Sequence, residues 1–299
     1  MSIRFDDRVA IVTGAAAGLG RSHALALAAR GARVVVNDFG GDVHGTGGSS
    51  EPAERVADEI RQAGGEAMSH GASVANDEQV AHMVAAVMER WGRVDILINN
   101  AGIGGPAPAE FAPGAEARRQ LEVNLLGAWR VTAACVDALV DSRGRIVMLA
   151  SRMAVMQLPL AAAYGASKRA LVAYADALRM ELGTHVGVTC VYPSSVQSPI
   201  HSSTTAAGLS LEGMSRYEPL DGVVDAVMRA ALSRRPRRDL PTSARGALEF
   251  FLARHLPALT DRIVARTLAG RAGSGAFAGA PLAAGVVARH EAVVSGVAR

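Results

Sequence analysis

The sequence predicts an α/β fold, an open, doubly wound parallel sheet with a helical extension at its C-terminal end. Three observations carry that prediction. Short Val- and Ile-rich runs alternate with longer alanine-rich helical stretches from Arg8 onward. Each run is continuously apolar, the pattern of parallel strands buried on both faces. The first run leads directly into a glycine-rich turn at the start of a helix.

Taken in order, strands are expected at Val9–Thr13, 33–37, 94–99, 145–150 and 186–192, with a weaker one at 65–69 and a short last strand near residue 240. Helical patterns fill the intervals at 19–30, 51–63, 77–91, 115–140, 162–182 and 219–233. Right-handed crossovers between parallel strands place helices on both faces and ligands at the carboxyl ends of the strands. Two segments stand outside this rhythm. Residues 40–50 form a long glycine-rich loop after the second strand. Past residue 241 come an Arg-rich amphipathic stretch, 246–268, and a small-residue tail, 269–299, expected to be partly mobile. The expected organisation is one ligand-binding domain over 1–241 and an extension over 242–299.

Composition excludes several classes of function. The 299 residues are 49% hydrophobic and 20% charged, with a formal charge of only +3, which fits a globular protein with a large core and gives no case for nucleic-acid binding. Cys135 and Cys190 lie in apolar stretches without metal-ligand spacing, so they read as core residues in a reducing compartment, and no metal is expected. The first seven residues lack the apolar run of a signal peptide, and no stretch approaches 18 uninterrupted apolar residues. No transmembrane segment is expected, and the chain reads as cytoplasmic.

The first strand runs into Thr13-Gly14-Ala15-Ala16-Ala17-Gly18-Leu19-Gly20. Glycines allow a tight turn and close approach of the backbone to a pyrophosphate, whose charge is favoured at a helix N-terminus. The spacing, G-x-x-x-G-x-G, differs from the G-x-G-x-x-G fingerprint of the Rossmann fold, and a plain strand-to-helix turn could look alike. Asp38 closes the second strand and could accept hydrogen bonds from both ribose hydroxyls while repelling a 2′-phosphate. Neither Ala17 nor Phe39 offers that phosphate a cation, so NAD is favoured over NADP, with Arg21 the contrary signal. Asn99-Asn100-Ala101-Gly102, at the end of the fourth strand, is small enough to admit the adenosine part of such a cofactor, and a plain Asn-Gly-type turn would look similar.

The chemistry is concentrated further on. Ser151 follows the strand at 145–150, Tyr164 lies 13 positions later, and Lys168 follows Tyr164 by four. On a helix that spacing sets phenol and ammonium on one face, a turn apart, and a nearby cation favours the phenolate. A solvated lysine beside a half-buried tyrosine would show the same spacing. Lys168, however, is the only lysine in the chain; every other Lys or Arg position holds arginine. Where charge alone serves, this sequence uses arginine, so a lysine here points to a need for a compact ammonium.

With these residues the chain resembles the short-chain dehydrogenases/reductases over about residues 5–240. The resemblance rests on Thr13-Gly14-x-x-x-Gly18-x-Gly20, Asn99-Asn100-Ala101-Gly102, Asn124, Ser151 and Tyr164-x-x-x-Lys168, in family order and spacing. It implies hydride exchange between a nicotinamide and a carbonyl or secondary alcohol carbon. Tyr164 would handle the proton on the substrate oxygen and Ser151 would hydrogen-bond that oxygen. Lys168 would bind the nicotinamide ribose and lower the tyrosine pKa, and Asn124 would hold a water linking Lys168 to solvent. Cofactor contacts would come from Gly14, Ala17, Gly18, Leu19, Gly20, Asp38, Phe39, Ser73, Val74, Asn100, Ala101, Gly102, Tyr164, Lys168, Pro193, Val196 and Ser198.

Two departures from the family pattern stand out. Pro193 is followed by Ser194 where the family usually has glycine, and Ala72 stands where an aspartate often contacts adenine, with Ser73 and the backbone of Val74 as substitutes. The segment 37–42 resembles the (3R)-hydroxyacyl-CoA dehydrogenase part of multifunctional enzyme type 2, whereas 158–168 is more like 17β-hydroxysteroid and retinol dehydrogenases. The expected substrate is a bulky lipophilic alcohol or ketone, with a hydroxyacyl-CoA as the alternative and a non-catalytic dinucleotide-binding regulator as a reading from another class. The family also implies a homodimer or homotetramer through the two long helices. The basic run Arg234-Arg235-Pro236-Arg237-Arg238 reads as a solvated loop, and 250–256 as a segment packed on the domain or on a partner subunit.

Overall fold

The computed structural model describes residues 4–41, 48–196, 198, 200, 202–209, 217–233, 235–277 and 279–294. Most of the glycine-rich loop, Arg234 of the basic run, Gln197, Pro199 and the last residues of the tail therefore lie outside the described residues.

Seven parallel strands form one sheet: β1 (Val9–Thr13), β2 (Arg33–Asn37), β3 (Glu66–His70), β4 (Ile96–Asn99), β5 (Arg145–Leu149), β6 (Gly187–Tyr192) and β7 (Asp239–Pro241). Their order is β3-β2-β1-β4-β5-β6-β7. Register is set by pairs such as Ile11↔Val35 and Ile11↔Leu97. The winding reverses between β1 and β4, which opens a crevice at the carboxyl ends of those strands.

Each strand buries both faces because successive side chains point to opposite sides. Val9, Ile11 and Leu97 pack with Met83, Val131, Cys135 and Leu171 from α3 (Asp77–Trp91), α5 (Ala128–Asp141) and α6 (Ala162–Leu182). Ala10, Val12 and Ile98 face the other way, onto Leu27, Ile60 and Val227 of α1 (Gly18–Ala28), α2 (Glu51–Gln62) and α8 (Leu220–Leu232). Each such Val, Leu or Ile contributes about 1.5–3 kcal/mol relative to an exposed position. Both cysteines are free and buried.

The bounds of α3 match expectation because its ends are specified locally. The Asn76 side chain accepts a hydrogen bond from the backbone of Gln79 at 2.9 Å, and Gly92 stops the helix in the left-handed region at φ 68°. The single helix expected over 115–140 is instead α4 (Ala115–Leu121), a π turn at Glu122–Gly127, and α5, in one continuous run. Widened turns of this kind gather at functional sites. The run Ala115–Asp141 is long and apolar enough to cross a membrane by length and composition, but α5 is a core helix whose Val131, Cys135 and Leu139 are wholly buried.

After β7 the chain forms α9 (Ala244–His255) and α10 (Pro257–Gly273), separated where Pro257 starts a new helix. The described part of the tail carries further helical structure. A short 3₁₀ turn, Pro281–Ala283, and α11 (Ala284–Val294) follow α10. Phe277, Ala280 and Ala283 are buried in a small core with Leu160, Leu209, Leu268 and Ala272. A stretch of small residues, lacking strong helix signals in sequence, is ordered here by a surface contributed from elsewhere. The remaining short helix, α7 (Ser202–Ala206), lies between β6 and α8.

Candidate active site

A cleft of about 610 Å³ runs along the carboxyl ends of β1, β2, β4, β5 and β6. All of the residues expected to contact the cofactor line it, from Gly14 to Ser198, and so does Ser151. Asn124 does not reach its wall.

One end is built on the turn after β1. Gly14 and Gly18 take φ of 63° and 52°, where a side chain would be strained. A Cβ on Gly20 would fall 2.0 Å from the Gly14 carbonyl oxygen, and one on Gly14 would fall 2.8 Å from the Ala101 Cα. Asn100 secures the same turn, its side-chain amide donating to the carbonyls of Thr13 and Gly14 at 2.9 and 3.0 Å. Thr13 Oγ1 in return accepts from the backbone of Asn100 and Ala101, both at 3.0 Å. The Asn-Asn-Ala-Gly segment thus braces the turn as well as lining the cleft. Helix α1 begins here with no side-chain cap and no acidic residue in its first turn. Its amide groups and positive dipole end therefore fit a pyrophosphate.

Asp38 stands beside that turn, accepting from the backbone of Ala16 at 2.9 Å through one oxygen and of Gly40 at 2.8 Å through the other. Each carboxylate oxygen keeps acceptor capacity for a ribose hydroxyl. Arg21 is paired with Glu59 at 2.6 Å on the helix surface. Ser73 is locally employed, its amide donating to Gln79 Oε1 at 2.8 Å and its hydroxyl accepting from Ala75.

The opposite end gathers Ser151, Tyr164 and Lys168, the residues expected to carry the chemistry. Ser151 leaves β5 in extended conformation, and its hydroxyl accepts from the Met153 amide at 3.1 Å while hydrogen-bonding Tyr164. Lys168 is buried one turn along α6 from Tyr164, with Nζ 5.8 Å from the centre of the phenol ring and donating to the Leu149 carbonyl at 2.8 Å. The expected lowering of the tyrosine by its lysine is not what this environment produces. Burial pushes Tyr164 up to about 12, with the Ser151 hydrogen bond pulling the other way, and burial brings Lys168 down to about 8. Desolvation penalises the charged form of each group.

Asn124 sits in the π turn behind the wall. Its Oδ1 accepts from the Ile103 amide at 2.8 Å, and Nδ2 donates to the Ile103 carbonyl and to Ser167 Oγ, each at 3.0 Å. Gly102 lies between this asparagine and the lysine: a Cβ there would stand 3.2 Å from Asn124 Oδ1 and 3.4 Å from Lys168 Nζ. Ser167 is therefore part of the arrangement, and its place one residue before Lys168 was the only sequence signal for it.

Two further residues escaped sequence reasoning. Glu218 gathers the loop after β6, accepting from the Ser194 amide at 3.3 Å and from the hydroxyls of Thr242 and Ser243. It ties down the position where the family's glycine is replaced. Arg152, beside Ser151 and lining the cleft, pairs with Glu249 of α9 at 2.8 Å. Although burial works against ionisation of Glu249, Arg245 and Arg152 together hold its carboxyl below the usual range. Nothing in the local sequence of either residue predicts these long-range pairings.

Hydride-transfer enzymes of one large class share this sheet and this constellation, and comparison agrees. Residues 8–208 match the short chain dehydrogenase family, and the chain belongs to it. It is an oxidoreductase acting on CH–OH groups with a nicotinamide cofactor. It is 39% identical over 189 residues to peroxisomal multifunctional enzyme type 2 of Drosophila melanogaster, covering 63% of this chain and 31% of that one. The chain thus spans about a third of that relative's length. Carveol dehydrogenase from Mycobacterium avium in complex with NAD is similar in structure, with TM-score 0.75 and 24% identity over 83% of this chain and 100% of that one. An alcohol dehydrogenase from the archaeon Thermococcus sibiricus, complexed with 5-hydroxy-NADP, gives TM-score 0.66 and 26% identity over 78% and 95% of the two chains.

Proposed function

We propose that this protein interconverts lipophilic secondary alcohols and ketones with NAD as its cofactor. The observation that carries the reading is the meeting of Ser151, Tyr164 and Lys168 on one wall of a cleft whose other end is the uncapped start of α1. Bound there, the nicotinamide supplies or accepts the hydride.

The remaining work falls to the chain's own groups. With its pKa near 12, Tyr164 is a neutral phenol at working pH and gives its proton to the ketone oxygen in reduction. Ser151 hydrogen-bonds the same oxygen. Lys168, charged below about pH 8, holds the ribose and returns a proton toward Tyr164. Asn124 keeps Ile103 and Ser167 in place behind them, which supports a proton path past Gly102. Asp38 recognises the adenosine ribose, and the engagement of Arg21 by Glu59 ties up the nearby cation that sequence offered to a 2′-phosphate, which favours NAD over NADP.

The identity to multifunctional enzyme type 2 favours a second reading, a (3R)-hydroxyacyl-CoA dehydrogenase. A panel of steroids, retinoids, simple secondary alcohols and 3-hydroxyacyl-CoA esters, followed by NADH absorbance, separates the two. Turnover confined to the CoA esters overturns the first. Thermal stabilisation ranks the cofactors, with NAD expected to protect more than NADP at equal concentration. The exposed Trp129 of α5, stacked on Tyr174 of α6 at 4.5 Å, supports assembly of a homo-oligomer through these helices.

A further inference from the structure

Beyond Tyr164 the cleft continues into a second, smaller cavity of about 80 Å³. Met153, Leu158, Tyr164 and Ile200 belong to both. Its other walls include Pro106, Pro159, Leu160, Leu209 and Phe277, with Thr204, and among the described residues no charged side chain lines it. Such a space accepts apolar matter and excludes a carboxylate or phosphate, which would be desolvated without a partner. Taking roughly 10–15 Å³ for each water-sized group, it has room for about five to eight of them, the size of a short alkyl chain or a single ring.

Phe277 comes from the C-terminal extension, far from the other walls in sequence. It is held firmly. It packs with Leu160 and Leu209 in the small core, and the Arg271 guanidinium lies 5.5 Å from its ring centre. A Cβ on Gly208 would meet the Gly279 carbonyl oxygen at 2.4 Å, so the turn before Leu209 lies against the chain just after Phe277. Glu110, past the loop that leaves β4, pairs with Arg289, and a Cβ on Gly285 would touch its carboxylate at 2.8 Å. The backbone between them is stitched as well: Ala107 donates to the Leu160 carbonyl at 2.8 Å and accepts from Ala162 at 2.9 Å.

We infer that the extension, through Phe277, closes a pocket for the smaller, wholly apolar arm of the substrate, and that Phe277 sets how long that arm can be. The inference rests on the hydride-transfer reading: with the carbinol carbon at Tyr164, one arm enters this pocket and the larger or polar arm lies toward the open cleft. Substrates with a compact apolar group on one side of the carbonyl are selected, whatever the other side carries.

The full chain with NADH is tested on methyl 3-oxoalkanoates whose alkyl arm grows from methyl to heptyl, the ester end being too polar for the pocket. The wild type should favour the short arms. Phe277→Ala should move the optimum to longer arms, raising the heptyl-to-methyl ratio of kcat/KM roughly tenfold or more, and Phe277→Leu should move it less in the same direction. A ratio unchanged in both variants overturns the inference, because general destabilisation lowers all members alike. If the wild type reduces none of the esters, the hydride reading has failed. The pocket is then judged by thermal stabilisation with the same series: a length optimum that shifts in Phe277→Ala upholds it, and no length dependence overturns it.

Discussion

The two ends of the cleft are built by different means. At the α1 end the constraints are backbone against backbone. Gly20 presses on the Gly14 carbonyl, Gly14 on Ala101, and Asn100 ties two carbonyls of the turn. At the Tyr164 end the walls are side chains from separated segments: Pro106, Met153, Leu158, Leu160, Ile200, Leu209 and Phe277. The first design fixes one ligand shape, since a backbone turn has little freedom to vary. The second can be retuned by single substitutions, because an apolar wall tolerates a change of size at modest cost. On the proposed reading, recognition of a common cofactor and selection of a particular substrate fall to structures of different plasticity.

The largest expected effect tests the reactive end alone. Tyr164→Phe should lower turnover by about 10²–10⁴-fold, the usual worth of a positioned acid, while thermal stabilisation by NAD persists. Surviving activity would remove Tyr164 from the mechanism. Gly20→Ala attacks the other end. Its Cβ cannot be accommodated against backbone, and a destabilisation of about 3 kcal/mol is expected together with loss of NAD protection, read by denaturant unfolding with and without cofactor. A neutral result would show that the turn is as adaptable as the apolar walls.

Acid should weaken the α1 layer selectively. His23 of α1 is wholly buried, and neither ring nitrogen has a partner among the described residues. Burial lowers its pKa from 6.5 to about 3. Because the folded value lies below the unfolded one, the unfolded chain takes up the proton first, and stability contributed by the neutral ring falls as pH drops from about 6.5 toward 3. Between pH 7 and 5 the loss through this group is about 2 kcal/mol. His23→Leu should be at least as stable as wild type at pH 7 and should show a shallower acid slope in urea midpoints. Equal slopes would clear His23. The smallest effect is expected for Glu249→Gln, which weakens the tie between α9 and Arg152. A shift of about 1 kcal/mol in unfolding with a changed KM, at little cost in cofactor stabilisation, would confirm that the extension serves the substrate end.

How far the sequence could be read follows the same division. The bounds of α3 were legible because Asn76 and Gly92 specify them locally, and β1, β2 and their continuous apolar runs because burial on both faces demands them. The glycines, Asp38, Ser151, Tyr164 and Lys168 were legible through spacing and through the solitary lysine. The π turn at Glu122–Gly127 was not, since residues 115–140 carry one uninterrupted helical pattern. Glu218 and Glu249 were not, because their partners lie 24 and 97 positions away. The direction of the Tyr164 shift was also missed: spacing reveals a neighbouring charge, whereas burial is a property of the whole fold.

By itself, then, the sequence determined the alternation of strands and helices up to about residue 240, and it singled out the glycine turn after β1 and the Tyr164–Lys168 pair that the structure brings to one cleft. These depend on interactions between residues close along the chain, or on periodic burial that composition records. Only the tertiary structure decided the protonation balance of Tyr164 and Lys168, the bracing role of Asn124 and the ordering of the tail onto Leu160 and Leu209. Each of these arises from desolvation or contact between segments that meet only when the chain is folded, and no local pattern encodes that meeting.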